Sequence, residues 1–588
     1  MVETYGGEII GKALKEEDVK YFFGIQGAHM WGLLLGICEQ GIQMINMRHE
    51  QAGVYAADAY SRLTQSPGVC FGTAGPGMQN MAAGISQAYS TRSPVLALFG
   101  QHPTFEDGLK GLQVGWGTDM MRTVTKWTLR ILDGNVAGYW IRKALRDVLT
   151  YPPGPVALDL PPGATALRFD ESRQRYTGWR GPVAHPPVGP ADEALVEKAV
   201  KTLLRAKKPL IMGGDGVFWS NASAELQELA ELLQIPVNTR RMGRGALPED
   251  HPLAVGGRYR GRLLKDTDAV LIIGHPIGYL ENYGQGPPYG TWNMGAKYIQ
   301  ITEAPQDLSL MVPTELEIIG NVKTVLRQMI DCASSLVKKA PKNEEWLNYL
   351  SESRKASEQR QQQEELEFQG KSPIHPAVLG REVARFLDES ARDATVIFDA
   401  FTGTAYFTDR LTARFAGQVL DPAEQGGVGH GVGMGIGAQL ARPGKPVLAY
   451  MGDLGMGIGA MDIETALRYK LPVVYLVNCN GTGISGVRDL YFSKTKLAGV
   501  WDFLPNIRYD KMFEPLGCHA EHVEKPSEIR PALERAFNSG VTSVVNVFTD
   551  PDITHPLNLT PLASALLAML KPEQLPERGR KIIYPDLA

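Results

Sequence analysis

The stretch from Val447 to Asn480 constrains this chain more than any other. Val447-Leu-Ala-Tyr-Met-Gly-Asp453 reads as an apolar strand that ends in a turn. Met461 to Lys470 has helical apolar spacing, and Leu471-Pro-Val-Val-Tyr-Leu-Val477 is a second apolar strand running toward Asn480. A strand, Gly-rich turn, helix and strand in that order predict two neighbouring parallel strands. The unit places Asp453 and Asn480 at their C-terminal ends, where open α/β sheets bind ligands. A carboxylate, an amide oxygen and a free backbone carbonyl are hard donors that suit Mg²⁺, an ion that usually completes its shell with phosphate oxygens. The same unit could equally be an ordinary buried βαβ crossover.

Length and charge bound the remainder. The 588 residues imply roughly three or four domains at about 150 residues each. An apolar fraction of 44% beside 21% charged residues is ordinary for a protein that buries large cores. A net charge of -4 gives no general attraction to nucleic acid or to an anionic membrane. No run of about 18 uncharged apolar residues is present to span a bilayer. The five cysteines are scattered without metal-ligand spacing, and the N-terminal residues lack a basic and apolar leader. Reduced thiols in a cytoplasmic α/β enzyme are the expectation.

Five segments can be marked off. Residues 1–185 form a first α/β block, closed by the Pro- and Gly-rich stretch Arg180 to Pro190. A second block covers 186–337 and carries the turn Gly213-Gly-Asp-Gly216 and the cluster Arg240-Arg241-Met-Gly-Arg244. These could hold ADP, FAD or the adenine end of CoA, or could be a tight turn and surface charge. Residues 338–372 are mostly Lys, Glu, Gln and Ser and predict a solvated helical connector. A third α/β block spans 373–550 and shares the strand-loop-helix rhythm of the first. The tail, 551–588, has Leu-rich helical spacing at Leu562 to Leu570 and a basic end.

The first block adds a second signal. Met47-Arg-His-Glu-Gln51 precedes a small-residue helix from Ala52, followed by the strand Gly68-Val-Cys-Phe71 and the turn Gly72-Thr-Ala-Gly-Pro-Gly-Met78. Read alone, Glu50 is a first-turn carboxylate favoured by the helix dipole. Together with the Gly452-Asp453 to Asn480 motif, however, the chain resembles thiamine-diphosphate (ThDP) enzymes over nearly its whole length. The resemblance implies a pyrimidine-binding, a middle and a diphosphate-binding domain, in that order. It implies that Glu50 hydrogen-bonds N1′ of the aminopyrimidine and promotes deprotonation of thiazolium C2. It also assigns Mg²⁺ to Asp453, Asn480 and the Thr482 carbonyl. Further cofactor contacts carried over are Gly75, Val428, His430, Gly452, Leu454 and Gly455, with Gly483 and Ile484 beyond the second strand. The family's active site lies between subunits, so a homodimer or homotetramer is implied, with no nucleic-acid or membrane partner.

Within the family, Gly452 to Pro472 and Phe503-Leu-Pro-Asn-Ile-Arg-Tyr509 are similar to the branch of 2-hydroxyacyl-CoA lyase and oxalyl-CoA decarboxylase. That branch implies cleavage of a 2-hydroxyacyl-CoA, such as the branched 2-hydroxyisobutyryl-CoA, into formyl-CoA and an aldehyde or ketone, reversible as an acyloin condensation. Arg578, Arg580 and Lys581 are the candidates for the CoA phosphates. Several positions depart from the pattern. Leu454 and Cys479 stand in the metal motif, no tyrosine follows Gly483-Ile484, and Val114-Gly-Trp-Gly117 replaces an acidic residue after Gln113. The apolar, small neighbours of Gln113 favour an alkyl or ketone portion over a second carboxylate. His430 takes the place of a bulky apolar wedge under the cofactor, and either His430 or His29 is a candidate proton carrier beside Gln113. The alternatives are an acetolactate-synthase-like ligase acting on 2-oxo acids, an oxalyl-CoA decarboxylase, and a non-catalytic ThDP-fold binding subunit.

Overall fold

A computed structural model describes residues 2–179, 181–182, 188–287, 289–337, 343–400, 403–553, 555 and 569–584. Most of the Leu-rich stretch expected at 562–570 lies outside the described residues. Backbone proximity separates the chain into two compact units. The first is Met1–Pro187 with Pro422–Ala449 and Ile458–Val473; the second is Val188–Asp421 with Tyr450–Gly457 and Val474–Ala588.

In the first unit a six-stranded sheet runs in the order Gln43–Asn46, Tyr21–Gly24, Gly68–Gly72, Val95–Gly100, Val156–Leu160, Trp127–Arg130. Every neighbouring pair is parallel. Val95-Leu-Ala-Leu-Phe-Gly100 is buried at all six positions, the pattern of a strand covered on both faces. Helix Glu50–Thr64 owes its close packing to small residues. Helix Gly431–Ala441 lies against it so tightly that a Cβ on Gly433 would stand 2.5 Å from the Ala52 carbonyl, and one on Gly437 would collide with the Ala56 carbonyl. Inside this packing Asp58 is fully satisfied. It accepts from Arg62 Nε at 2.7 Å, Arg62 NH2 at 2.8 Å, Ser93 Oγ at 2.5 Å and Gln87 Nε2 at 3.2 Å.

A second six-stranded sheet is built from Val419–Leu420, Thr395–Phe398, Val447–Gly452, Val473–Cys479, Ser543–Phe548 and His519–Val523 in spatial order. Numbered along the chain within each sheet, both six-stranded sheets read 2-1-3-4-6-5. The shared rhythm of the first and third blocks is therefore a shared topology, and Asp453 and Asn480 follow strands three and four of theirs.

The middle block is a five-stranded parallel sheet, ordered Val237–Thr239, Pro209–Gly213, Ala269–Ile273, Lys297–Thr302, Thr314–Ile319. The charged segment after it differs from the solvated connector that its composition predicts. Helix Glu344–Phe368 docks through its few apolar residues: Trp346 and Leu350 are buried, and Trp346 Nε1 donates to the Pro209 carbonyl at 2.9 Å. Arg354 NH2 donates to the carbonyls of His251 at 2.9 Å and Ala254 at 2.6 Å. Among the described residues, no helix is long and apolar enough to cross a membrane.

Candidate active site

The first unit carries Glu50, Gly75, Gln113, His29, Val428 and His430. Glu50 opens its helix behind His49, whose Nδ1 accepts from the Gln51 N–H at 3.2 Å. The carboxylate is 7% exposed, and Asn80 Nδ2 donates to its Oε2 at 3.0 Å. Asn80 escaped the sequence reading; its only signal is its place one helical turn beyond the Gly-Pro-Gly bend. A Cβ on Gly77 would stand 3.2 Å from Glu50 Oε1, so the bend lies directly on the carboxylate. Gly75 has φ +58, and a Cβ there would meet the Gln113 carbonyl at 2.7 Å. Gln113 itself adopts φ +57, a conformation that costs a non-glycine residue energy and persists only where its surroundings enforce it. Glu50, the Gly75 bend and the Gln113 loop thus form one wall. His29 Nδ1 is buried with no hydrogen-bond partner among the described residues, and a Cβ on Gly100 would lie 3.1 Å from the His29 Cβ.

The entry to Glu50 is held by the motif after the Gly-rich turn. Asp462 accepts from the Arg48 backbone N–H at 2.8 Å and from Thr465 Oγ1 at 3.0 Å, and Tyr469 OH accepts from the Asn46 N–H at 3.0 Å. Desolvation carries the Asp462 carboxyl up to about 6. Val428 is half-buried. His430 is fully buried at the start of its helix; Nδ1 donates to the Gly427 carbonyl at 3.0 Å, and Tyr55 meets the ring edge-on.

The second unit carries the Asp453 group. Asp453 is 2% exposed; Oδ2 accepts from the Asn480 N–H at 2.7 Å and the Gly481 N–H at 3.3 Å. Oδ1 accepts from Cys479 Sγ at 3.3 Å, so the unexpected cysteine of the motif bonds the carboxylate. Burial pushes the Asp453 carboxyl above its usual range against the pull of these donors. Such a carboxylate gains most from a cation. Asn480 Oδ1 accepts from the Thr482 N–H at 3.2 Å, and Thr482 Oγ1 donates to the Trp501 carbonyl at 3.1 Å, which fixes the loop through Gly483 and Ile484. Among the described residues no group of three or more His, Cys, Asp or Glu side chains could cage a metal. One carboxylate, one amide and one carbonyl beside phosphate oxygens fit Mg²⁺ without such a cage. Gly452 is buried and Leu454 is 37% exposed. A Cβ on Gly455 would stand 3.0 Å from the Asp399 carboxylate.

The described tail docks near that loop. Leu575 joins Leu490, Tyr491 and Phe492 in one buried cluster, and a side chain at Gly579 would collide with the Leu490 carbonyl. Lys581 pairs with Glu577 on its own helix at 2.7 Å, while Arg580 Nε is buried without a partner among the described residues. In the middle block, Asp215 fills the Gly-rich turn. It takes Arg241 Nε at 2.8 Å and the Met242 N–H at 3.2 Å, and a Cβ on Gly214 would run into His275 at 2.6 Å. Arg244 is committed to Glu249 at 2.8 Å. These contacts hold the Gly-rich turn and the arginine cluster together.

Each of the two like sheets has a buried carboxylate beyond a strand end, Glu50 and Asp453, and comparison with known proteins identifies the class of enzyme. Residues 4–121 match the family profile described as thiamine pyrophosphate enzyme, N-terminal TPP binding domain. Residues 196–329 match the central domain of the same enzymes, and 403–547 match their C-terminal TPP binding domain. The chain is 30% identical to the acetolactate synthase large subunit IlvG of Mycobacterium tuberculosis, over 94% of this chain and 97% of that one. It is 27% identical to 2-hydroxyacyl-CoA lyase 1 of Mus musculus, over 94% and 95%. It is 26% identical to oxalyl-CoA decarboxylase of Escherichia coli, over 93% and 95%. The chain belongs to the thiamine pyrophosphate enzyme family.

Proposed function

We propose that the protein is a ThDP- and Mg²⁺-dependent carbon–carbon lyase. It cleaves a 2-hydroxyacyl-CoA into formyl-CoA and an aldehyde or ketone, and the reaction reverses as an acyloin condensation. When bound, ThDP supplies a carbon nucleophile and an electron sink, the chemistry that no side chain can perform. Glu50 holds the proton at pyrimidine N1′, and Asn80 fixes its other oxygen. Asp453, Asn480 and the Thr482 carbonyl would hold Mg²⁺, and the backbone from Gly452 to Gly455 and from Gly483 to Ile484 would hold the cofactor beside it. Gln113, on the Glu50 wall, and His29 are the candidates to orient the substrate hydroxyl and carry its proton. His430 is the third candidate, as wedge and donor beside Val428. Arg578, Arg580 and Lys581 are proposed to meet the CoA phosphates.

The names of the relatives span three reactions, so the choice rests on one observation, the loop beside Glu50. Between Asp107 and Asp119 it has no acidic residue, and it exposes Leu109, Leu112 and Trp116 at 64%, 73% and 74%. The exposed apolar residues suit an alkyl or ketone group. A branched acyl group such as 2-hydroxyisobutyryl, releasing acetone, suits them well. The same exposed residues supply an apolar surface for a second copy of the chain, in a homodimer or homotetramer with active sites at the subunit interface. The five free cysteines suit the cytoplasm.

The test is product identification by mass spectrometry after incubation with ThDP, Mg²⁺ and a panel of 2-hydroxyacyl-CoAs, oxalyl-CoA and pyruvate. Formyl-CoA with a matching carbonyl product is expected. CO₂ from pyruvate would instead indicate the acetolactate-synthase-like ligase, CO₂ from oxalyl-CoA the decarboxylase, and ThDP binding without turnover the binding subunit.

A further inference from the structure

Gln101 directly follows strand four of the first sheet, as Asn480 follows strand four of the other six-stranded sheet. It is 3% exposed, and its amide orientation is dictated on both sides. Nε2 donates to the Gly115 carbonyl at 3.1 Å and to Asp159 Oδ2 at 3.4 Å. Oε1 accepts from the His102 backbone N–H at 3.1 Å and faces His102 Nδ1 at 2.6 Å. A flipped amide would aim N–H at N–H and oxygen at oxygen, so only this orientation satisfies all four partners. Because an amide oxygen only accepts, Nδ1 of His102 carries a proton. Its Nε2 stands 2.8 Å from Asp107 Oδ1, and Asp107 receives Arg130 NH1 and NH2 at 3.0 Å. Arg130 Nε lies 3.8 Å from Asp159 Oδ2, which closes a ring of five side chains.

This ring touches the Gln113 loop through a side-chain bond to the Gly115 carbonyl. Gly115 lies two residues beyond the left-handed Gln113, and a Cβ on Gly115 would stand 3.0 Å from Gly75 Cα. The loop is drawn down onto the bend that borders Glu50.

We infer that Gln101 is a positioning residue: oriented by His102, Asp107, Arg130 and Asp159, it pins Gly115 and so sets the place of Gln113 against Glu50. The inference rests on Gln113 serving the proposed reaction, and the experiment therefore reads the loop as well as turnover. Gln101→Met keeps the side-chain length and removes both donors. It should lower kcat for thioester cleavage on the order of tenfold, as a small misplacement does, with KM within about twofold. ThDP affinity and C2 hydrogen–deuterium exchange should not change, while backbone amides of residues 109–117 take up deuterium faster. Asp159→Asn, which keeps an oxygen acceptor for Nε2, should restore what Asp159→Leu loses. Wild-type kcat together with wild-type amide exchange in Gln101→Met overturns the inference, and so does a loss of ThDP affinity in step with kcat. If the wild type turns over no 2-hydroxyacyl-CoA, the proposed function fails and amide exchange alone decides: faster uptake supports the pinning, equal uptake overturns it. Should Gln101→Met not fold, Asp107→Ala on the exposed side of the ring should loosen the same segment to a smaller extent, and unchanged uptake there overturns the inference.

Discussion

Asp453 shows how a single residue can be overcommitted. It is buried, accepts three hydrogen bonds and still sits above the usual carboxylate range, because desolvation outweighs the donors. Asp453→Ala should weaken ThDP retention on the order of a hundredfold or more, the usual cost of removing one partner of a buried charge pair. Titration by protein fluorescence checks this, and wild-type affinity would remove Asp453 from the metal site. Asp159 invites a different test. Desolvation raises its carboxyl to about 6 despite Arg130 and Gln101. The folded protein therefore binds that proton more tightly than the unfolded chain. The resulting stabilisation is complete below the ordinary carboxylate value and is lost as pH rises through about 6. Asp159→Asn should gain up to about 3 kcal/mol at pH 7 and little at pH 4, as measured by urea unfolding. At this scale the sequence was readable for placement: Asp453 and Asn480 directly follow the strands Val447–Gly452 and Val473–Cys479, and Glu50 opens the small-residue helix. It was silent on Asn80, on the Cys479 thiol bond and on the Gln101 ring, because those depend on side chains that meet across strand ends far apart along the chain.

Elements were legible wherever apolar period and turn residues agreed. The strands Gly68–Gly72 and Val447–Gly452 and the small-residue helix at Glu50 stand where the pattern puts them. The charged segment is helical over Glu344–Phe368, as its composition predicts, and averages over composition hide what docks it: buried Trp346 and Leu350, Arg354 on two carbonyls, and Glu364 and Glu365 paired with Arg258, Arg410 and Arg381. The small-residue helix pair makes a sharp prediction. Gly437→Ala adds a methyl where the Ala56 carbonyl already stands, and should cost about 1–3 kcal/mol by overpacking, more than the helix-propensity gain of about 1 kcal/mol. Denaturant unfolding checks it, and a stabilised variant would mean that the two helices slide apart freely. For the tail, truncation after Asp550 should raise KM for the thioester several-fold and leave ThDP affinity nearly unchanged. Equal KM in steady-state assays would release Arg578, Arg580 and Lys581 from the CoA role.

On the scale of the whole molecule, the repeated 2-1-3-4-6-5 order is the main structural fact. Only a rhythm of strand, loop and helix hinted at it, because strand order is set by tertiary packing rather than by local period. One sheet presents Glu50 and the other presents Asp453. The proposed enzyme needs both at the two ends of one ThDP, contributed by two copies of the chain. The most direct test combines two inactive variants, Glu50→Gln and Asp453→Ala, by co-expression and measures formyl-CoA release. In a mixed dimer, one site receives both intact residues and the other receives both substitutions. With random pairing, about a quarter of wild-type activity should return. Activity no higher than that of either variant alone would contradict a site built from Glu50 of one subunit and Asp453 of the other.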